Sequence, residues 1–172
     1  MRLFIAVSFT PKMKDALRSV QEQLKKQGVS GNYTAAENLH LTLAFIGEQD
    51  DPERVLEVMS GLSFRPFELK LRGLGSFGRL WWAGLSADSE LTRSAAALRH
   101  LLSEADIPFD RKKFRPHITL IREPDKDRLP EVTIPEAAMT VDRISLMRSD
   151  RGKRGMIYTE LGSITAEKMN SE

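Results

Sequence analysis

Cysteine is absent from this chain of 172 residues. That removes disulfides, zinc–thiolate and iron–sulfur sites, and every mechanism built on a thiolate. Histidine is scarce, so an imidazole site must be drawn from His40, His100 and His117. Apolar runs are short. None approaches the roughly 18 residues of a membrane-crossing helix, and no membrane partner is expected. The formal charge is only +2, which does not by itself argue for a polyanionic partner. The distribution is more telling. Residues 111–115 read Arg-Lys-Lys-Phe-Arg, and Arg148, Arg151, Lys153 and Arg154 crowd into 148–154. On charge alone each cluster is an ordinary solvated loop.

Residues 3–7 are apolar and follow one arginine, like a short leader. Ser8-Phe9-Thr10-Pro11-Lys12 interrupts them and no small-residue cleavage site follows, so a first strand over 3–9 is the better reading. With no export signal, the cytoplasm is the expected compartment. Thr10 and Pro11 open a helix in which Met13, Ala16, Leu17, Val20 and Leu24 recur at helical spacing and which Gly28 closes. Strands are predicted over 39–46, 67–74, 80–85, 114–122, 139–147 and 156–161. Further helices start at Asp51-Pro52 and run over 89–105, the latter with the stripe Leu91, Ala95, Leu98 and Leu102. Residues 73–78 are glycine-rich and read as a turn, 124–135 as a loop, 148–154 as a mobile loop, and 166–172 as a frayed end. Strands outnumber helices without alternating one for one. That pattern predicts an α+β fold with antiparallel sheets. No linker divides the chain, so residues 1–172 are expected to form one domain or two small lobes sharing a core.

One feature repeats. His40-Leu41-Thr42-Leu43 and His117-Ile118-Thr119-Leu120 are nearly the same phrase in opposite halves. Chance places threonine two residues after both histidines on the order of once in a few hundred such chains, so the pair is a signal where one copy would not be. On a strand, side chains two apart share a face. Each phrase therefore sets an imidazole beside a hydroxyl, with leucine or isoleucine behind. If the strands border one groove, two imidazoles and two hydroxyls converge. Such a set suits phosphoester chemistry. One neutral imidazole takes a proton from water, the other, protonated, gives one to the leaving oxygen, and the hydroxyls donate to the phosphate. A metal site would need a third ligand, and no His-x-His or His-Glu-x-x-His occurs. His100 reads as a surface residue, and no cofactor is expected.

The phrases Asn38-Leu39-His40-Leu41-Thr42-Leu43-Ala44-Phe45-Ile46-Gly47 and Phe114-Arg115-Pro116-His117-Ile118-Thr119-Leu120-Ile121-Arg122 resemble the two signature motifs of the 2H phosphoesterase superfamily. They are most similar to its bacterial and archaeal RNA 2′,3′-cyclic phosphodiesterases, also called 2′–5′ RNA ligases. Arg2-Leu3-Phe4-Ile5-Ala6, Ile144-Ser145-Leu146, Gly155 and Tyr158 fit the same family. The resemblance implies a two-lobed, pseudo-symmetric α+β fold around a central groove. It also implies metal-free hydrolysis of a 2′,3′-cyclic phosphate at an RNA end, such as a tRNA fragment, to a 2′-phosphomonoester, with 2′–5′ joining as the reverse reaction. His40 would be the proton donor and His117 the acceptor, with Thr42 and Thr119 on the phosphate oxygens.

The resemblance also points to Phe45 near the base and Arg122 near the phosphate. Strict alternation puts both on the face away from the histidines, unless the strands bulge. Arg115 shares the His117 face and is an alternative phosphate partner. Trp81, Trp82 and Phe77 are stacking candidates, with one tryptophan expected in the core. Arg151, Lys153 and Arg154 are candidate RNA contacts on the 148–154 loop. A monomer is expected. Two other functions stay open: a phosphodiesterase for 2′–5′ linkages or small cyclic nucleotides, and a non-catalytic RNA-binding module, which would need no acid–base pair.

Overall fold

The computed structural model describes residues 1–168. The described residues form two antiparallel sheets and three α-helices, an α+β fold of the expected class. The strands are β1 (Arg2–Ser8), β2 (Asn32–Tyr33), β3 (His40–Glu48), β4 (Phe67–Phe77), β5 (Leu80–Ala87), β6 (His117–Arg122), β7 (Ala138–Val141), β8 (Arg143–Gly152) and β9 (Gly155–Thr165). One sheet has the order β3-β1-β8-β9 and the other β2-β6-β5-β4-β7. The His40 phrase thus lies on the first sheet and the His117 phrase on the second. A core that includes Leu41, Leu43, Ile118 and Leu120 joins the two, and burying each such side chain contributes roughly 1.5–3 kcal/mol.

The helices follow their sequence signals closely. In α1 (Pro11–Lys26) the Thr10 hydroxyl caps the Met13 N–H, and the whole apolar stripe is buried. Gly28 ends it with φ of +81°, a left-handed turn that suits glycine. Asp51 caps α2 (Pro52–Met59), and α3 (Ser89–Glu104) buries Leu91, Ala95, Leu98 and Leu102.

Several loop and strand expectations need correction. Residues 73–77 are strand, and the chain turns only at Gly78-Arg79. The glycines there have packing and bulge reasons. A Cβ on Gly75 would lie 2.2 Å from the Trp82 ring, and Gly73 sits at a register shift with φ of +67°. The strand expected over 139–147 is two strands in different sheets, because the chain crosses between them at Asp142. Residues 114–116 precede β6 and are not strand.

The 148–154 segment is not a mobile loop. Arg148 and Arg151 pair with Thr159 and Met156 in the β8–β9 hairpin, leaving Lys153 and Arg154 at its turn. Charged side chains can project from a hairpin whose backbone groups the ladder satisfies, so charge alone misled there. Of the expected frayed end, Ala166 and Glu167 donate backbone N–H groups to Asp142 and Phe64; residues 169–172 lie outside the described residues. No helix among the described residues is long and apolar enough to cross a membrane.

Candidate active site

Both motif strands carry a bulge at the same place. In β3, Ala6 of β1 pairs with Thr42 and Ile5 pairs with Ala44, so Leu43 is the extra residue. In β6, Trp82 of β5 pairs with Thr119 and Trp81 pairs with Ile121, so Leu120 is the extra residue. An extra residue reverses the alternation of faces beyond it. Leu41, Leu43, Ala44 and Ile46 are consequently all buried, and so are Ile118, Leu120 and Ile121. Phe45 and Arg122, each five residues after its histidine, come round to the face of the imidazoles. Phe45 is 49% exposed at the groove. The bulges remove the conflict that strict alternation posed.

Side chains from the helices meet both bulge carbonyls. Gln21 of α1 is buried and donates Nε2–H bonds to the Leu120 carbonyl (3.0 Å) and the Thr34 carbonyl (2.9 Å). Arg99 of α3 donates from Nε to the Leu43 carbonyl at 3.2 Å and from Nη1 to the Lys112 carbonyl at 2.7 Å. Sequence reasoning missed both residues. A signal existed for Gln21, a polar residue among the buried positions of α1.

The groove holds about 580 Å³ and is walled in part by His40, Thr42, Phe45, His117, Thr119 and Arg122. It thus brings together both histidines, both threonines, the aromatic and one arginine expected from the sequence. The two imidazoles are oriented alike. Nδ1 of His40 donates to the Asn38 carbonyl and Nδ1 of His117 to the Arg115 carbonyl, each at 2.6 Å. A carbonyl can only accept, so this bond fixes the proton on Nδ1 of the neutral ring and leaves Nε2 for chemistry. Nε2 of His40 accepts from the Thr42 hydroxyl at 2.8 Å.

Aromatic rings pack on both imidazoles: Phe4, tilted, and Tyr158, edge-on, lie 5.0 and 5.3 Å from His40, and Phe77 lies edge-on 5.0 Å from His117. Asn38, which donates to the Met156 carbonyl, ties this corner to β9. Burial holds the His40 pKa below its ordinary value. The bond to Asn38 opposes that shift, and the nearby His117 and Arg122 charges add to it. An anion between the rings would supply the missing countercharge.

Arg115 lines an adjoining cavity with His117, its guanidinium 5.9 Å from the Phe77 ring. Trp81 is core, whereas Trp82 packs beside Phe77 and His117. Arg151, Lys153 and Arg154 line neither cavity. His100 is exposed, 3.9 Å from Glu104. Among the described residues no three His, Cys, Asp or Glu side chains gather as a metal site would require.

The family model described as the 2′-5′ RNA ligase superfamily matches residues 7–153. The chain belongs to that superfamily. Relatives include the RNA 2′,3′-cyclic phosphodiesterase of Thermotoga maritima, 31% identical, with 94% of this chain and 93% of the relative covered. Another is the RNA 2′,3′-cyclic phosphodiesterase of Thermus thermophilus, 36% identical, covering 94% and 88%. Among solved structures, E. coli LigT complexed with 3′-AMP superposes with a TM-score of 0.81. It is 26% identical and covers 97% of this chain and 98% of that one. A nucleotide-bound member of the superfamily therefore shares the fold that forms this groove.

Proposed function

We propose that this protein is an RNA 2′,3′-cyclic phosphodiesterase that opens the cyclic phosphate at an RNA end to a 2′-phosphomonoester. The observation that carries the reading is the matched pair of imidazoles. Each is pinned at Nδ1 by the carbonyl two residues earlier, and both line one groove beside a threonine hydroxyl. Membership of a superfamily whose curated relatives are named for this activity supports it.

In the mechanism, Nε2 of His117 takes a proton from water as the water oxygen bonds to phosphorus. The bond from phosphorus to the 3′-oxygen breaks, and that oxygen receives the proton from Nε2 of His40. Burial holds His40 toward neutrality, and the substrate's negative charge beside it raises its pKa and loads the proton. When His40 carries that proton, Thr42 no longer donates to Nε2, and its hydroxyl is free to turn to the phosphate. Thr119 and Arg122 meet the other side of the developing charge, with Arg115 as a further phosphate partner. Phe45 offers a face to the terminal base. No step calls on a metal or cofactor.

The reading treats the chain as one two-lobed unit acting as a monomer, because each sheet of a single chain supplies one histidine to the groove. Arg151, Lys153 and Arg154 enter it only as outer contacts to a longer RNA, such as a tRNA fragment. Joining of 2′–5′ ends is the same proton transfers in reverse. The test is turnover of uridine 2′,3′-cyclic monophosphate by the wild type and by His40→Ala and His117→Ala. Each substitution is expected to cost roughly 10²–10⁴-fold or more while the melting temperature holds. Wild-type turnover in either variant would refute the acid–base pair.

A further inference from the structure

The mechanism uses a second cavity only through Arg115 and the residues that cavity shares with the groove, and leaves its lysines and Phe114 without a role. The cavity holds about 540 Å³ and adjoins the groove through Thr42, Phe45, Asp110 and His117, which line both. Its own walls carry Lys112, Lys113 and Arg115 together with the rings of Phe77 and Phe114. Cations interleaved with aromatic faces fit single-stranded nucleic acid. Ammonium and guanidinium groups meet phosphates, and rings stack on bases of any kind.

The charges are available. Among the described residues, Lys112, Lys113 and Arg115 form no ion pair. The one acidic wall residue, Asp110, lines both cavities and, among the described residues, forms no ion pair with these cations. Its carboxylate accepts the Lys112 N–H at 3.0 Å and its charge acts on Arg99. The loop that presents the lysines is also anchored. Asp110 donates its N–H to the Phe45 carbonyl at 2.8 Å, Arg99 bonds the Lys112 carbonyl, and the Arg99 guanidinium lies 5.7 Å from both the Phe109 and Phe114 rings. These bonds tie the loop to β3, the strand that carries His40 and Thr42. A preformed cationic arm next to the groove loses less entropy on binding than a mobile one. The other basic cluster, on the β8–β9 hairpin, lines neither cavity.

We infer that this arm binds the RNA strand upstream of the terminal nucleotide, with Lys112 and Lys113 on its first phosphates and Phe114 or Phe77 under a base. The inference rests on the proposed function only in placing the cyclic end between His40 and His117. It separates a short substrate from a long one: a mononucleotide fills the groove alone, whereas an oligomer also occupies the arm.

The experiment compares the wild type with Lys112→Gln/Lys113→Gln on uridine 2′,3′-cyclic monophosphate and on an oligouridylate ending in the same cyclic phosphate. Direct binding of an oligomer ending in 2′-phosphate is followed across salt concentrations. The double variant is expected to keep the mononucleotide constants and to raise KM for the oligomer. Its log–log salt dependence should be shallower by about 1.4, at about 0.7 per lost phosphate contact on a single strand. Unchanged oligomer binding and salt slope would overturn the inference. So would an equal loss on both substrates, or an oligomer-specific loss found only in Arg151→Gln/Lys153→Gln/Arg154→Gln. A wild type inactive on both substrates but with the expected loss of oligomer binding in the variant would refute the catalytic reading and leave the arm established.

Discussion

Replacing Gln21 by methionine keeps the length of the side chain and removes its two donated bonds. Each bond contributes about 1 kcal/mol net, and a buried carbonyl left unpaired costs about 1–3 kcal/mol. The Leu120 carbonyl keeps its bond from the Thr34 N–H at 2.9 Å, so the lower half of that range applies there. A total near 2–3 kcal/mol follows, or a fall in melting temperature of roughly 4–12 °C for a chain of this size. Stability is only half of the expectation. The Leu120 bulge is what turns Arg122 toward the groove after Thr119, so loosening it should also lower kcat. The loss should be several-fold, bounded by that of Thr119→Val, which is on the order of 10–10³. Thermal melting and steady-state kinetics on uridine 2′,3′-cyclic monophosphate measure both. A lower melting temperature with wild-type kcat and KM would mean that the strand pairing sets the bulge unaided, and the reasoning would fail.

Thr42→Val should lower kcat by about 10–10³ with a smaller change in KM, because the hydroxyl acts on charge that develops during reaction; a change in KM alone would limit it to ground-state binding. His40 should titrate below about 6.5 by NMR in the free protein and rise when inorganic phosphate is added; a free value at or above 6.5 would contradict the burial argument. The unfolded chain binds that proton more readily than the folded one. Stability from this residue is therefore present above pH of about 6.5, is lost as pH falls through the lowered folded value, and phosphate should restore part of it. Exhaustive chelation is expected to leave turnover unchanged, and loss with recovery on adding zinc or manganese would reopen a metal mechanism.

The helices were legible because caps and stripes are local: Thr10, Asp51 and the Leu91–Ala95–Leu98–Leu102 spacing each act within a few turns. The two motif strands were legible because His-x-Thr with an apolar backing needs only the alternation of a strand. Phe45 and Arg122 seemed misdirected because a bulge depends on the partner strand, and residue order gives no register. The partners of the bulge carbonyls were harder still, since Gln21 and Leu120 lie 99 residues apart. Residues 73–77 looked like a turn because glycine serves both turns and close approach, and only the Trp82 ring on the neighbouring β5 distinguishes the two. The basic hairpin failed for a related reason. Charge reports exposure of side chains, not whether the backbone beneath is paired.

The central claim is that two imidazoles open a cyclic phosphate with the 3′-oxygen leaving. Phosphorus NMR of the product from uridine 2′,3′-cyclic monophosphate tests it most directly. Uridine 2′-phosphate alone, formed by the wild type and lost with either His40→Ala or His117→Ala, is the predicted result. A 3′-phosphate product, or unchanged 2′-phosphate formation in either variant, would contradict it.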